Sequence, residues 1–233
     1  MSFSGFSQEK FKATVSMGEV FPLNNFKNTD LNSSVSGYAQ NGFTLNVDGD
    51  YFIINRLAVT LRFHFGNAPI NKDAFKNFLV NDLQGYYPPA DTAQFEMNAW
   101  QWVTPLIGLK YNYPIVINKV YIEAGAFTGL CFIQIPNQNL IYNDKVNNRL
   151  VVSHNIETNC ISMPLALNAG IRFKINPTVQ LKIAAEYFSA RSQYTHESYY
   201  QWQNSVEQIE ISKTEFNVPI QTVNVTAGLV YSF

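Results

Sequence analysis

Three histidines are the first residues whose type could do chemistry. His64 lies in a stretch of alternating apolar residues, His154 follows Ser153, and His196 lies close to Ser192 and Ser198. A serine beside an imidazole begins a nucleophilic site, but the imidazole needs an acid to orient it, and spacing fixes none here. Adjacent Ser and His are common by chance. Three scattered His and two Cys, Cys131 and Cys160, give no metal-ligand spacing. The expectation is therefore no catalytic residue, no metal and no cofactor.

The acidic and basic residues are better ordered. Lys12, Asp48, Asp50, Arg62, Lys110, Glu123, Arg172, Lys182 and Glu186, with Lys174, each sit at alternate positions of an otherwise apolar segment. In segment 42–54, Phe43, Leu45, Val47, Tyr51 and Ile53 take one parity, and Thr44, Asn46, Asp48 and Asp50 take the other. A period of two with one greasy and one polar face is a strand.

Eight such segments follow one another: 11–23, 42–54, 57–66, 100–113, 120–133, 160–175, 179–190 and 221–233. Glu19 interrupts the alternation of the first, which predicts a bulge or a membrane edge there. Pro22 is tolerable near a strand end. Tight turns fall at 55–56, 118–119 and 176–178; long polar connections fall at 24–40, 67–98, 136–159 and 191–214. Short turns alternating with long loops on an up-and-down meander form the transmembrane barrel pattern. The fold expected is all-β: an eight-stranded antiparallel barrel over 11–233, after a tail at 1–10 that is a signal remnant or an artificial start. First and last strands must pair, since an open sheet would leave two edges in lipid.

Composition agrees. Charged residues make up 14% of the 233 and aromatics 15%, whereas soluble domains carry about a quarter charged. No run approaches the roughly 18 apolar residues of a membrane helix. The net charge of −1 gives nucleic acid nothing to bind.

The last strand, QTVNVTAGLVYSF, ends on an aromatic with small polar groups on its other face. It resembles the terminal strand of Gram-negative outer-membrane barrels. VSMGEVFPL, GFTLNVDGDYFIINRLAVTLRFHFG and PLIGLKYNYPIVINKVYIEAGAF are similar to the small outer-membrane barrel family of Bacteroidota, which includes OmpX-like and PorT-type proteins. The resemblance implies a protein of the cell outer membrane with periplasmic termini. Its partners would be outer-membrane lipid or lipopolysaccharide, the barrel-assembly machinery that reads Val225, Leu229, Tyr231 and Phe233, and other outer-membrane proteins. It implies a non-catalytic structural or binding protein, or an accessory subunit of a secretion or barrel-assembly complex. The alternatives are a lipid A deacylase or acyltransferase, with His and Ser near the outer rim, and a narrow channel.

Eight strands leave a lumen that side chains nearly fill, so the inward charges are expected to form a salt-bridge plug. The rival reading is a narrow ion path. Cys131 and Cys160 fall on inward positions of adjacent strands, where a disulfide and two separate small residues are both open to them. Tyr86, Tyr87, Tyr194, Tyr199, Tyr200 and Trp202 are expected in the outer loops, as partner contacts or as an upper aromatic girdle. A lipocalin-like barrel, apolar inside and charged outside, is the soluble rival.

Overall fold

The computed structural model describes residues 10–30, 33–74, 94–116, 119–144, 149–156, 158–202 and 209–233. In chain order the elements are β1 (Phe11–Pro22), α1 (Asn24–Lys27), β2 (Gly42–Ile54), β3 (Leu57–Ala68), β4 (Gln94–Met97), β5 (Trp100–Val116), β6 (Val120–Gly129), β7 (Cys131–Gln134), β8 (Gln138–Asp144), β9 (Arg149–Asn155), β10 (Asn159–Ser162), β11 (Leu165–Lys174), β12 (Val179–Trp202) and β13 (Ile209–Ser232).

The ring runs β1-β2-β3-β5-β6-β11-β12-β13 and back to β1, with every neighbour antiparallel. Closure extends from Lys12↔Ser232 to Pro22↔Thr222, which removes both edges. Two of the eight expected strands are each drawn as two pieces. β7 continues β6, since Leu106↔Gly129 and Val103↔Phe132 share one register. β10 likewise continues β11, through Leu165↔Thr128 and Ser162↔Cys131. The second break falls at Met163-Pro164, where proline has no N–H to give the ladder.

The alternation is realised as read. Leu61, Phe63, Ile107, Leu167 and Leu229 are exposed on the outer wall, while Thr60, Arg62, Lys110, Asn168 and Lys182 are buried inside. Apolar outside and ionic inside excludes the lipocalin-like arrangement. No bulge forms at Glu19, which keeps its place opposite Val225 and Phe43. It faces outward near the long-loop end, accepting a hydrogen bond from Asn41 Nδ2 at 3.0 Å. Pro22 is the last residue of β1, as expected.

The expected loops are where the structure differs. β12 and β13 are 24 residues each, paired from Val179↔Tyr231 to Gln201↔Ile209. At about 3.3 Å per residue the hairpin is about 80 Å long, against the 9–11 residues that cross a membrane. The segment 191–214 is thus mostly strand. β9 joins the upper part of β12, β8 joins β9, and β4 joins β8, so part of 136–159 is a hairpin as well. Part of segment 24–40 folds as well: α1 and residues Tyr38 and Ala39 fold back over the barrel mouth with Phe26 fully buried.

Candidate functional site: the lumen and its closures

Parity puts one charged residue after another on the inner faces of β2, β3, β5, β6, β11 and β12, and the ring brings them together. Asp48 is the hub. It accepts two hydrogen bonds from Arg62, from Nε at 2.7 Å and Nη2 at 2.8 Å, and one from Lys110 Nζ at 3.1 Å. Lys110 also donates to Asp50 at 2.8 Å, which accepts from Thr60 at 2.8 Å. Lys182 Nζ lies 2.6 Å from Glu123, and Arg172 Nε lies 3.2 Å from the same carboxylate. Arg62 Nη1 reaches Glu186. Arg62 also stacks over the Phe127 ring at 4.2 Å.

Four cations (Arg62, Lys110, Arg172, Lys182) and four anions (Asp48, Asp50, Glu123, Glu186) are each at most 2% exposed. A buried charge costs several kcal/mol unless opposite charges and hydrogen bonds offset it. Here the two signs balance, as charges buried together require. Lys12 is only half-buried, toward the short-turn rim, 5.3 Å over the Phe52 ring. Lys174 is also half-buried at that rim.

Above the charges the lumen turns aromatic. His64 stacks on Phe188 at 4.9 Å and 11° and on Trp102 at 6.4 Å and 19°. Trp102 Nε1 donates to His64 Nε2 at 2.9 Å. An indole N–H only donates, so Nε2 is the acceptor and Nδ1 carries the ring's donor proton. That proton faces Asn46 Oδ1 at 2.7 Å and Glu186 at 3.2 Å. Both ring nitrogens are thus engaged. Phe26 then closes the top, edge-on to Trp100 at 5.7 Å and Trp102 at 6.2 Å. Trp100 Nε1 donates to the Gly37 carbonyl at 2.8 Å and ties the folded-back segment down. Gly66 makes the room: a Cβ there would stand 2.0 Å from the Trp102 ring.

The remaining sequence candidates scatter. His196 Nδ1 faces Asn155 Oδ1 at 2.8 Å, and Asn155 Nδ2 donates to the Pro136 carbonyl at 2.8 Å, which fixes that amide. The imidazole therefore donates from Nδ1, and burial, with His154 nearby, holds it below its ordinary pKa. Ser192 is fully buried and accepts from the Cys160 thiol at 3.3 Å. It sits four residues along the same strand from His196, about 13 Å away, beyond hydrogen-bond reach.

Cys131 and Cys160 are free thiols. Register explains why: Cys131 opposes Ser162 and Cys160 opposes Ile133, so the pair is diagonal. Diagonal neighbours stand about 7–8 Å apart, outside the usual Cα range of a disulfide. Thr104 Oγ1 donates to Cys131 Sγ at 3.3 Å instead.

Among the expected loop contacts, Tyr194 is buried, stacked on Phe216 at 5.2 Å and edge-on to Trp100 at 6.2 Å. It closes the mouth and is not a loop tip. Tyr199, Tyr200 and Trp202 belong to paired strand β12. Tyr86 and Tyr87 lie outside the described residues. Val225, Leu229, Tyr231 and Phe233 all face outward, with Phe233 packed on Tyr231 at 4.8 Å and Phe11 at 5.5 Å.

Reading the sequence missed the aromatic closure. Trp100 and Trp102 share parity with Thr104 and Lys110, and Phe188 shares parity with Glu186, so the signal for these three was present. Phe26 has no such signal, being one apolar residue among Asn and Lys.

A closed ring, apolar outside and ionic inside, defines an integral-membrane β-barrel. No family model and no curated protein matches the chain. Solved structures do. Neisserial surface protein A (NspA) aligns at 12% identity and TM-score 0.47, covering 96% of this chain and 97% of that one. A major outer membrane protein from Thermus thermophilus aligns at 13% and 0.49, covering 96% and 99%. The outer membrane protease OmpT from Escherichia coli aligns at 8% and 0.49, covering 97% and 98%. At these values none of them lends this chain an activity.

Proposed function

We propose that this protein is a non-catalytic barrel of the bacterial outer membrane that works through contacts made at its long-loop end. The particular role we favour is an accessory subunit of a larger outer-membrane assembly, such as a secretion or barrel-assembly complex. The terminal strand and the resemblance to small barrels of Bacteroidota support that setting, with the chain termini in the periplasm.

One observation carries the reading: the lumen is filled twice, by a balanced ionic layer and by an aromatic layer above it. Such an interior holds a scaffold rigid and gives solute no path. Meanwhile β12 and β13 carry their pairing well past the ring and present an extended sheet with β9, β8 and β4. Binding residues usually sit on outlying segments held by a rigid scaffold.

The test is to excise 196–214 and join Thr195 to Glu215, which face each other in register. The shortened protein is expected to insert and fold while losing the proteins that co-purify with the parent from native membranes. Full retention of those proteins would refute the contact role. A steady ion-selective conductance in planar bilayers, or lipid A turnover abolished by His154→Ala or His196→Ala, would replace this reading with a channel or an enzyme.

A further inference from the structure

The mouth opposite the long loops holds an unassigned pocket. Below the ionic layer, at the short-turn rim, the lumen opens into a cup of about 240 Å³ whose lining includes Lys12, Phe52, Arg56, Asn112, Tyr121 and Arg172. Three of its lining residues are cations and none is a carboxylate. At about 30 Å³ per water, the cup takes one group the size of a side chain, not a lipid.

Two of the lining residues are buried donors with capacity to spare. Arg172 is 1% exposed; it donates from Nη2 to Asn112 Oδ1 and lies beside Glu123, but its Nη1 has no hydrogen-bond partner. Asn112 is 5% exposed, and its Nδ2 has no partner either. Buried donors are nearly always satisfied, and each unsatisfied one costs free energy, more so when charged. The bond between Arg172 and Asn112 holds these donors side by side. Aromatic faces fix the cations: Arg172 lies 5.5 Å over Tyr121, and Arg56 lies 5.2 Å over Tyr113. Lys10, Lys119 and Lys174 stand around the same rim, and the described residues of its short turns and of the two chain ends include no Asp or Glu.

We propose that this cup binds a carboxylate. Its two oxygens would accept from Arg172 Nη1 and Asn112 Nδ2, the first of these a charge-assisted bond. Arg56, exposed at the entrance, draws the anion in. Glu123 does not compete for the place, because it is engaged behind Arg172 with Lys182. The carboxylate belongs either to a small free acid or to an acidic side chain of a peptide, and the cup recognises the group common to both.

The experiment uses the full chain refolded in detergent micelles, with the Asn112 side-chain amide and Tyr121 ring followed by NMR. Glutarate and the peptide acetyl-Gly-Glu-Gly-amide are titrated separately at constant ionic strength, with chloride as the reference anion. Saturable shifts with one shared Kd are expected. Arg56→Gln, at an exposed turn, should weaken binding at least threefold, and Asn112→Leu should abolish it. Saturation by both ligands assigns the cup to carboxylates in general, and saturation by one alone names the source. Shifts that grow linearly, that chloride reproduces, or that persist unchanged in Arg56→Gln would overturn the proposal. Tighter binding of inorganic phosphate than of either carboxylate would also overturn it.

Discussion

The two halves of the lumen solve one packing problem by opposite means. The lower half is filled by Asp48, Asp50, Arg62, Lys110, Glu123, Lys182 and Glu186, and the upper half by Phe26, Trp100, Trp102 and Phe188. In the lower half the partners are specific, because each charge depends on a particular opposite charge. In the upper half they are chiefly steric, because ring faces and edges tolerate approximate fits. His64 stands at the seam, with its ring in the aromatic stack and its proton toward Asn46 and Glu186. The contrast teaches that the ionic layer is a weak source of net stability but a strong determinant of register, whereas the aromatic layer stabilises directly.

The largest effect should come from breaking the lower half. Asp48→Asn leaves Arg62 and Lys110 short of their shared anion, and about 3–5 kcal/mol should be lost, read by denaturant unfolding of the micelle-folded protein. Leu167→Arg puts a charge on the outer wall at mid-strand and should cost about 2–4 kcal/mol, which refolding into lipid bilayers would measure. Equal stability of this variant and the parent would contradict a lipid-facing wall. In the upper half, Phe26→Leu keeps most of the apolar area but gives up edge contacts to Trp100 and Trp102. Two such contacts are worth about 1–3 kcal/mol together, and the loss should appear as a lower midpoint in the same unfolding assay.

The smallest change should come outside both halves. Lys213 is 60% exposed at its 3.0 Å bridge to Glu197, so Lys213→Ala should alter stability by about 0–1 kcal/mol. An effect as large as that of Asp48→Asn would mean that the extended hairpin shares the cooperativity of the ring.

Most of the ring was legible because the side-chain period of a strand is two, so burial and charge repeat in phase along each crossing. Arg62, Asp48 and Lys182 could be placed inside without knowing which would meet. Their pairing was not legible, because it depends on the stagger between strands. The long hairpin was hidden for a different reason. Beyond the membrane neither face of β12 needs to be greasy, so Arg191, Ser192 and Gln193 read as loop while forming strand. Parity could have placed Trp100 and Trp102 inside with Thr104 and Lys110, but Phe26 belongs to a segment whose packing is wholly tertiary. The charged cup was missed because Asn112 and Arg172 come from β5 and β11, which the ring brings together.

Closure has a temporal consequence. The seam between β1 and β13 joins Lys12 to Ser232, the first strand of the ring to the last. A chain synthesised from its N-terminus carries that side of β1 unpaired until β13 exists. Neighbouring strands can form hairpins early, but the final ladder must wait for the most distant contact, and distant contacts are the slow ones. Until then the nascent molecule offers two sticky borders to any other strand it meets. The border between β1 and β13 is therefore the last to close, and it stays exposed for as long as the rest of the ring takes to form.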